Sequence, residues 1–361
     1  MSASPFDHPM LSALLGDSVI AAEFAFEAEL KDMLAFEAAL AEAEAAEGII
    51  PPASATAIVA AIQHFRPELG RLAEGTARDG VVVPELVAQL RAAVGNPHSR
   101  HVHFGATSQD LVDSSLFKRL ERVSQELDKR LADLIARLDR LETAEGSRPV
   151  MGHTRMQRAR PISFARKISA WREPLRRHRQ RLAELAPRVF VLQFGGAVGD
   201  RAELGLRASA VADRLADALQ LRPSDNARHA ERDGVVEFAG WLSMISGSLG
   251  KLGQDVALMA QSEVGELRLA GGGGSSAMPG KNNPVAAEML VTLARFNAGL
   301  IGAIHQALVH ENERSGSAWT LEWMTLPQMC IAAGASLRHG AALIEAIAAG
   351  WASGSDRVQA P

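Results

Sequence analysis

From Leu111 onward, apolar residues recur at Leu116, Leu120, Val123, Leu127, Leu131, Leu134, Leu138 and Leu141. The gaps are almost all three or four, the period of one face of an α-helix. At about 1.5 Å per residue, roughly 35 residues span ~50 Å, too long for one compact domain to cover. Such a rod asks for partners of similar length, from the same chain or from other copies of it. Three can be read. One starts after Pro161 and runs through Ile168, Trp171 and Leu175 to about Leu185. A second runs from about Asp233 to Leu267, and a third takes Val285, Met289, Leu293, Phe296, Leu300, Ile304 and Leu308. Strand signals are scarce. Val81 to Val83 and Val189 to Gln193 are short β-branched or apolar runs without a hairpin partner. The expected fold class is therefore all-α, a bundle of long helices.

The first hundred residues differ in texture. Shorter helices, about Gly16 to Glu47 and Ala53 to Phe65, are separated by Pro51, Pro52, Pro67 and Pro84. A small N-terminal helical domain over 1–97 is expected to end at Val94-Gly95-Asn96-Pro97. The long-helix bundle, which would carry oligomerisation, is expected over 98–312. A reduced C-terminal segment over 313–361 is expected to hold short helical pieces and to fray from Ala352 to Pro361.

Net charge is −4 over 361 residues, with Lys and Arg interleaved among Asp and Glu. That pattern belongs to solvated helix faces and offers no basic stripe for nucleic acid. Cys330 is the single cysteine, which excludes an internal disulfide and a site built on several thiolates. No charged-then-apolar leader and no stretch of ~18 uncharged apolar residues is visible, so a cytoplasmic protein without a membrane span is expected. No metal or cofactor is expected.

Chemistry concentrates in three segments. The first is Gly271 to Pro284, four glycines followed by Ser275-Ser276-Ala277-Met278-Pro279-Gly280-Lys281-Asn282-Asn283-Pro284. The glycines leave the backbone free, and Asn283-Pro284 reads as N-cap and first residue of a helix. Hydroxyls and a lysine beside a helix N-terminus suit a carboxylate, where a plain flexible linker would need neither Met-Pro nor a double Asn. In the second, His103-Phe104-Gly105-Ala106-Thr107-Ser108-Gln109-Asp110, Thr107 and Asp110 have capping-box spacing, and free N–H groups at that helix start also suit an anion. The third, Gly152 to Pro161, carries Arg155 and Gln157. Arginine exchanges no proton near neutrality, but its planar fork grips a carboxylate. His153 reads as structural.

Together these segments resemble the signature blocks of the fumarase/aspartase superfamily. In most lyases of that superfamily a proton-transferring histidine follows the Thr of the third block. Arg155 stands there instead, and the likeness is then to the carboxymuconate cycloisomerase branch. Glu311 to Arg314, Trp319, Glu322-Trp323 and Leu326-Pro327 resemble that branch's region after the signature loop. Gln193 to Gly199 resembles the superfamily's Gly-Ala-Val-Gly turn. The resemblance implies cyclisation of a small tricarboxylate, 3-carboxy-cis,cis-muconate, to 4-carboxymuconolactone in protocatechuate breakdown, without a cofactor. It also implies a homotetramer whose sites are shared between subunits. By resemblance, Ser275, Lys281 and Asn283 are the catalytic residues. Substrate contacts fall to His103, Thr107, Ser108, Gln109, Arg155, Gln157, Ser276, Met278 and Arg314. Two alternatives stay open: another lyase of the superfamily, such as adenylosuccinate or argininosuccinate lyase, and a non-catalytic, crystallin-like structural protein.

Overall fold

The computed structural model describes residues 4–278 and 280–352. Helices α1 (Ser12–Leu15), α2 (Ser18–Ala22), α3 (Phe26–Ala46), α4 (Pro52–His64), α5 (Leu69–Asp79) and α6 (Val83–Val94) form the N-terminal region. The bundle follows with α7 (Ser108–Glu145), α8 (Phe164–Val189), the shorter α9 (Ala208–Leu219), α10 (Asp233–Met259), α11 (Val285–Gln306) and α12 (Ser317–Ala352). Between α7 and α8 lies a two-stranded antiparallel hairpin, β1 (Pro149–Thr154) and β2 (Gln157–Ser163).

The apolar stripe behaves as its spacing requires. Leu111, Leu116, Leu120, Val123, Leu127, Leu131, Leu134, Leu138 and Leu141 are all buried along α7. They meet Ile168, Trp171 and Leu175 of α8, with α3 and α12 packing alongside. Helix α10 buries Phe238, Trp241, Leu242, Ile245, Leu249, Leu252 and Val256. It lies against α11 so closely that a methyl on Gly253 would meet the Ala287 carbonyl oxygen at 2.5 Å.

Several sequence expectations need correction. The helix read over Gly16 to Glu47 breaks at Glu23 to Ala25, which frees the Glu23 carbonyl for Arg119 Nη1 at 3.3 Å. The two apolar runs pair as no hairpin, in line with the scarce strand signals: Val83 opens α6, while Val191 forms only an isolated bridge with Arg222. Helix α10 stops at Met259, eight residues before Leu267. The short pieces expected after residue 313 are one 36-residue helix, α12. Pro327 inside it does not end it. Most of the apolar side chains from Leu326 to Ile347 are buried in the bundle, and that packing outweighs one lost backbone bond. The expected fraying from Ala352 concerns residues 353–361, outside those described.

By length and mean hydropathy, 1.3 and 1.2, α11 and α12 would both suffice to cross a membrane. The apolar window of α12 is 72% buried, as befits a core helix, whereas that of α11 is only 28% buried. Along α11 a single chain leaves polar and small residues exposed, among them Glu288, Arg295, Gly299 and Gly302, while Met289, Phe296 and Leu300 are half-buried.

Candidate functional site

At the start of α7 the capping-box reading holds. Thr107 N–H donates to Asp110 Oδ2 at 2.9 Å, the reciprocal arm being the Thr107 side chain at the Asp110 backbone. Asp110 is fully buried and does much more than cap. Its Oδ1 accepts from Gly195 N at 2.7 Å and from His229 Nε2 at 2.7 Å, and its Oδ2 also accepts from Gly196 N at 2.9 Å. One carboxylate therefore ties the helix start to the Gly-Gly-Ala-Val-Gly turn. Gly196 has φ +70 there, and a methyl on it would stand 2.9 Å from the Gly105 carbonyl oxygen. Sequence reading singled out neither His229 nor this use of Asp110.

Gln109 spends its carboxamide inside the chain. Its Nε2 donates to Asp113 Oδ2 at 3.0 Å and to the His229 carbonyl at 2.9 Å, and its Oε1 accepts from Arg314 Nε at 3.1 Å. Arg314 also donates to the Ala197 carbonyl at 3.1 Å. The structure thus brings Thr107, Ser108, Gln109 and Arg314 to one end of the bundle. His103 is there as well, in the left-handed region at φ 61, its Nδ1 2.5 Å from Glu37 Oε1.

Beneath this end lies a buried ion cluster that no local sequence pattern announces. Arg232, 1% exposed, donates from Nη1 to Asp113 Oδ2 at 2.7 Å, from Nε to Glu322 Oε1 at 2.8 Å and from Nη2 to Glu322 Oε2 at 2.5 Å. Asp113 Oδ1 also accepts from Trp319 Nε1 at 2.9 Å. Burial pushes the Glu322 carboxyl up, but the bonds from Arg232 and the nearby His310 outweigh it and hold the group below its ordinary range. The helix-capping segment therefore stands on a pinned base shared by α7, α10 and α12.

The other two motif segments lie elsewhere. Arg155 and Met156 form the two-residue turn of the hairpin, both with positive φ, 49 and 66. That is type I′ geometry without the usual glycine. A non-glycine residue pays for this conformation, and such strain gathers at functional sites. Arg155 and Gln157 are exposed at the tip, and His153 faces Arg158 across the ladder. The hairpin escaped sequence reading because Gln157-Arg158-Ala159-Arg160 shows no apolar alternation and the turn has no Asn-Gly or Asp-Gly.

The glycine-rich loop sits at the hairpin's end of the bundle, since Met151 N–H donates to Glu266 Oε1 at 2.8 Å. Gly273 and Asn283 exchange backbone hydrogen bonds of 3.0 and 2.9 Å, which closes the loop at its base. A Cβ on Gly272 would fall 1.7 Å from Asn282 Oδ1 and 2.9 Å from the Asn283 carbonyl oxygen, so the Asn282 side chain would have to move. Asn283 is not the N-cap. Pro284 holds that position and α11 starts at Val285, because the Asn283 backbone is committed to Gly273 and its amide to the Gly274 carbonyl at 3.4 Å. Ser275 Oγ accepts from the N–H groups of Met278 at 3.1 Å and Ala277 at 3.4 Å. Two N–H dipoles aimed at one hydroxyl oxygen favour its deprotonated form. Ser276, Met278 and Lys281 are exposed on the same loop, and Pro279 lies outside the described residues.

The two ends are far apart. At 1.5 Å per residue the 38 residues of α7 put about 57 Å between Ser108 and the hairpin. The 27 residues of α10 separate Arg232 from the loop by about 40 Å. A cavity of about 850 Å³ near the N-terminal end, walled by Phe24, Leu72, Val112 and Trp323, takes in none of the expected catalytic or substrate-contact residues. Within one chain Thr107, Arg155 and Ser275 do not converge.

Comparison with known proteins supplies the context. A family profile described as lyase matches residues 17–298. A 3-carboxy-cis,cis-muconate cycloisomerase of Pseudomonas aeruginosa is 41% identical over 335 residues, covering 90% of this chain and 72% of that protein. One of Pseudomonas putida is 39% identical over 330 residues, covering 90% of this chain and 78% of that protein. The crystal structure of 3-carboxy-cis,cis-muconate lactonizing enzyme from Pseudomonas putida superposes with a TM-score of 0.88 at 38% identity. That match covers 94% of this chain and 77% of the other.

Proposed function

The chain belongs to the lyase family of the fumarase/aspartase superfamily, and from that premise we propose that it converts 3-carboxy-cis,cis-muconate to 4-carboxymuconolactone. The observation that carries this reading is the likeness to cycloisomerases over nine-tenths of the chain. Loss of the muconate diene absorbance on incubation with the purified protein, and appearance of the lactone, tests it. Unchanged absorbance at high enzyme concentration contradicts it.

The chemistry asks little beyond placement, because nucleophile and electrophile share one molecule. A carboxylate oxygen of the substrate attacks the ring-forming carbon. The π electron pair moves to the neighbouring carbon and spreads into its carboxylate, and a proton then quenches that carbon. The protein has to hold three carboxylates, stabilise the enolate-like intermediate and deliver one proton. Ser275 is the proton-transfer residue, its oxygen held under the two loop N–H groups, with Ser276 in support. Lys281, Asn283 and the Thr107–Ser108 helix start take the anionic oxygens, with Gln157 and Met278 lining the same space.

These groups meet only if copies combine. The span of α7 separates the motif segments, and the face of α11 that carries Met289, Phe296 and Leu300 is only half covered within one chain. A homotetramer in which long helices run side by side covers that face. It brings the hairpin and the glycine-rich loop of some copies to the Thr107 end of another.

Arg155, with no carboxylate partner among the described residues, grips one carboxylate of the substrate in a bidentate fork. Arg155→Lys is expected to raise KM by roughly tenfold or more, since an ammonium offers no fork, and Arg155→His is not expected to restore it. Steady-state kinetics decide: an Arg155→Ala enzyme with unchanged kcat and KM removes the residue from the site.

A further inference from the structure

Glu37 and Glu44 lie seven residues apart on one face of α3, 2% and 0% exposed. Neither oxygen of Glu44 and only one oxygen of Glu37 has a hydrogen-bond partner. Two buried carboxyls with three bare oxygens are costly unless one is neutral or both serve a purpose. Beside them stands His103, whose Nδ1 meets Glu37 Oε1 at 2.5 Å and whose backbone is held in the left-handed region to make that contact. Arg91 of α6 steadies the segment by donating to the Val102 carbonyl at 3.0 Å. With Nδ1 committed, Nε2 is the ring nitrogen left for a ligand, four residues before the Thr107 cap.

We propose that Glu37 is a positioning residue that keeps His103 protonated and oriented, so that its Nε2–H meets a carboxylate of the substrate, while Glu44 behind it stays a neutral acid. This rests on the tricarboxylate reading above and adds to it the source of a cation at the Thr107 end. The surroundings agree. Burial alone would strip the proton from His103, but the Glu37 carboxylate outweighs it and the pKa is raised. Asp110 of α7 adds to that, and Arg91 opposes it. Burial, reinforced by Glu37, pushes Glu44 up to about 9. A second buried negative charge is thereby avoided.

The test compares Glu37→Gln, Glu44→Gln and Glu37→Asp with the parent enzyme across pH 5.5–9. In the parent, kcat/KM should fall only as pH rises through the raised His103 pKa. Glu37→Gln should move that limb to lower pH and raise KM at least tenfold at pH 8, with less than threefold change at pH 5.5 and in kcat. Glu37→Asp should keep the parental limb. Glu44→Gln, an amide for a neutral acid, should leave it within threefold. A KM rise in Glu37→Gln that is equal at every pH, or a Glu44→Gln profile matching Glu37→Gln, overturns the assignment. A parent that turns over no 3-carboxy-cis,cis-muconate defeats the functional reading instead, and thermal melts then test the pair directly. A raised histidine pKa contributes stability that is complete below about pH 6.5 and lost as pH rises through the folded value. The melting difference between parent and Glu37→Gln should therefore be largest near pH 6 and shrink by pH 9. A constant or growing difference overturns the proposal.

Discussion

Ser275→Ala is expected to lower kcat by roughly 10²–10⁴, the span associated with a general acid or base, with little change in KM. The hydroxyl oxygen accepts from the Met278 and Ala277 N–H groups, which fixes the oxygen in place and leaves its proton free to be given and regained. The carboxylate contacts lie on other residues, so binding should survive. Gly273→Pro separates acid from lid. Proline there removes the N–H that bonds the Asn283 carbonyl at 3.0 Å and opens the base of the loop. If the loop only covers the site, Ser275→Ala loses less than about tenfold in kcat and Gly273→Pro does the greater harm. Side-by-side kcat and KM values for the two variants separate these outcomes.

Arg232→Leu is expected to destabilise the protein by about 3–5 kcal/mol, the usual cost of stranding buried charge. The side chain is 1% exposed and serves two carboxylates that are themselves almost wholly buried. Asp113 would keep its bonds from Trp319 and Gln109, but among the described residues Glu322 would be left with His310 alone, 3.6 Å away. The sign with pH follows from the depressed Glu322 group. Its stabilising contribution is present above the unfolded value of 4.5 and lost as pH falls through the folded one. The gap between parent and variant should thus be widest near neutrality and close in acid. Denaturant midpoints at pH 7 and pH 4 check it; a gap that widens in acid contradicts the role given to Arg232.

The parts of the fold that were legible in the sequence are those that repeat. The leucine stripe of α7 survives intact because every third or fourth residue faces the same core, so local spacing and tertiary packing agree. The Thr107–Asp110 cap was legible for the same reason, being a contact between near neighbours. What escaped depends on residues far apart in the chain. Asp110 with His229, and Arg232 with Asp113 and Glu322, are joined across some 90 to 120 positions, and no local pattern announces them. Helix α12 was obscured by Pro327, a breaker in isolation that packing overrides. Asn283 looked like a cap because its spacing to Pro284 is right, but the loop closure with Gly273 claims it first. Of the site, the residue types were legible, and so was the reach of the α7 stripe; what the structure adds is that the hairpin with Arg155 and the loop closed by Gly273 and Asn283 lie together at the end far from Thr107.

The separation of Thr107 from Ser275 can be tested by mixing subunits. A double variant, Thr107→Ala with Ser108→Ala, and the single variant Ser275→Ala damage opposite ends of the bundle, and each alone should be nearly inactive. Mixed, unfolded and refolded together at equal concentration, they should regain about a quarter of the parental rate of lactone formation, because a random pairing gives one site in four with both ends intact in a symmetric assembly. The same mixture combined without unfolding should stay inactive until subunits exchange. Refolded mixtures no more active than the two variants measured apart would mean that both ends of one site come from a single chain, or that they serve no common site at all.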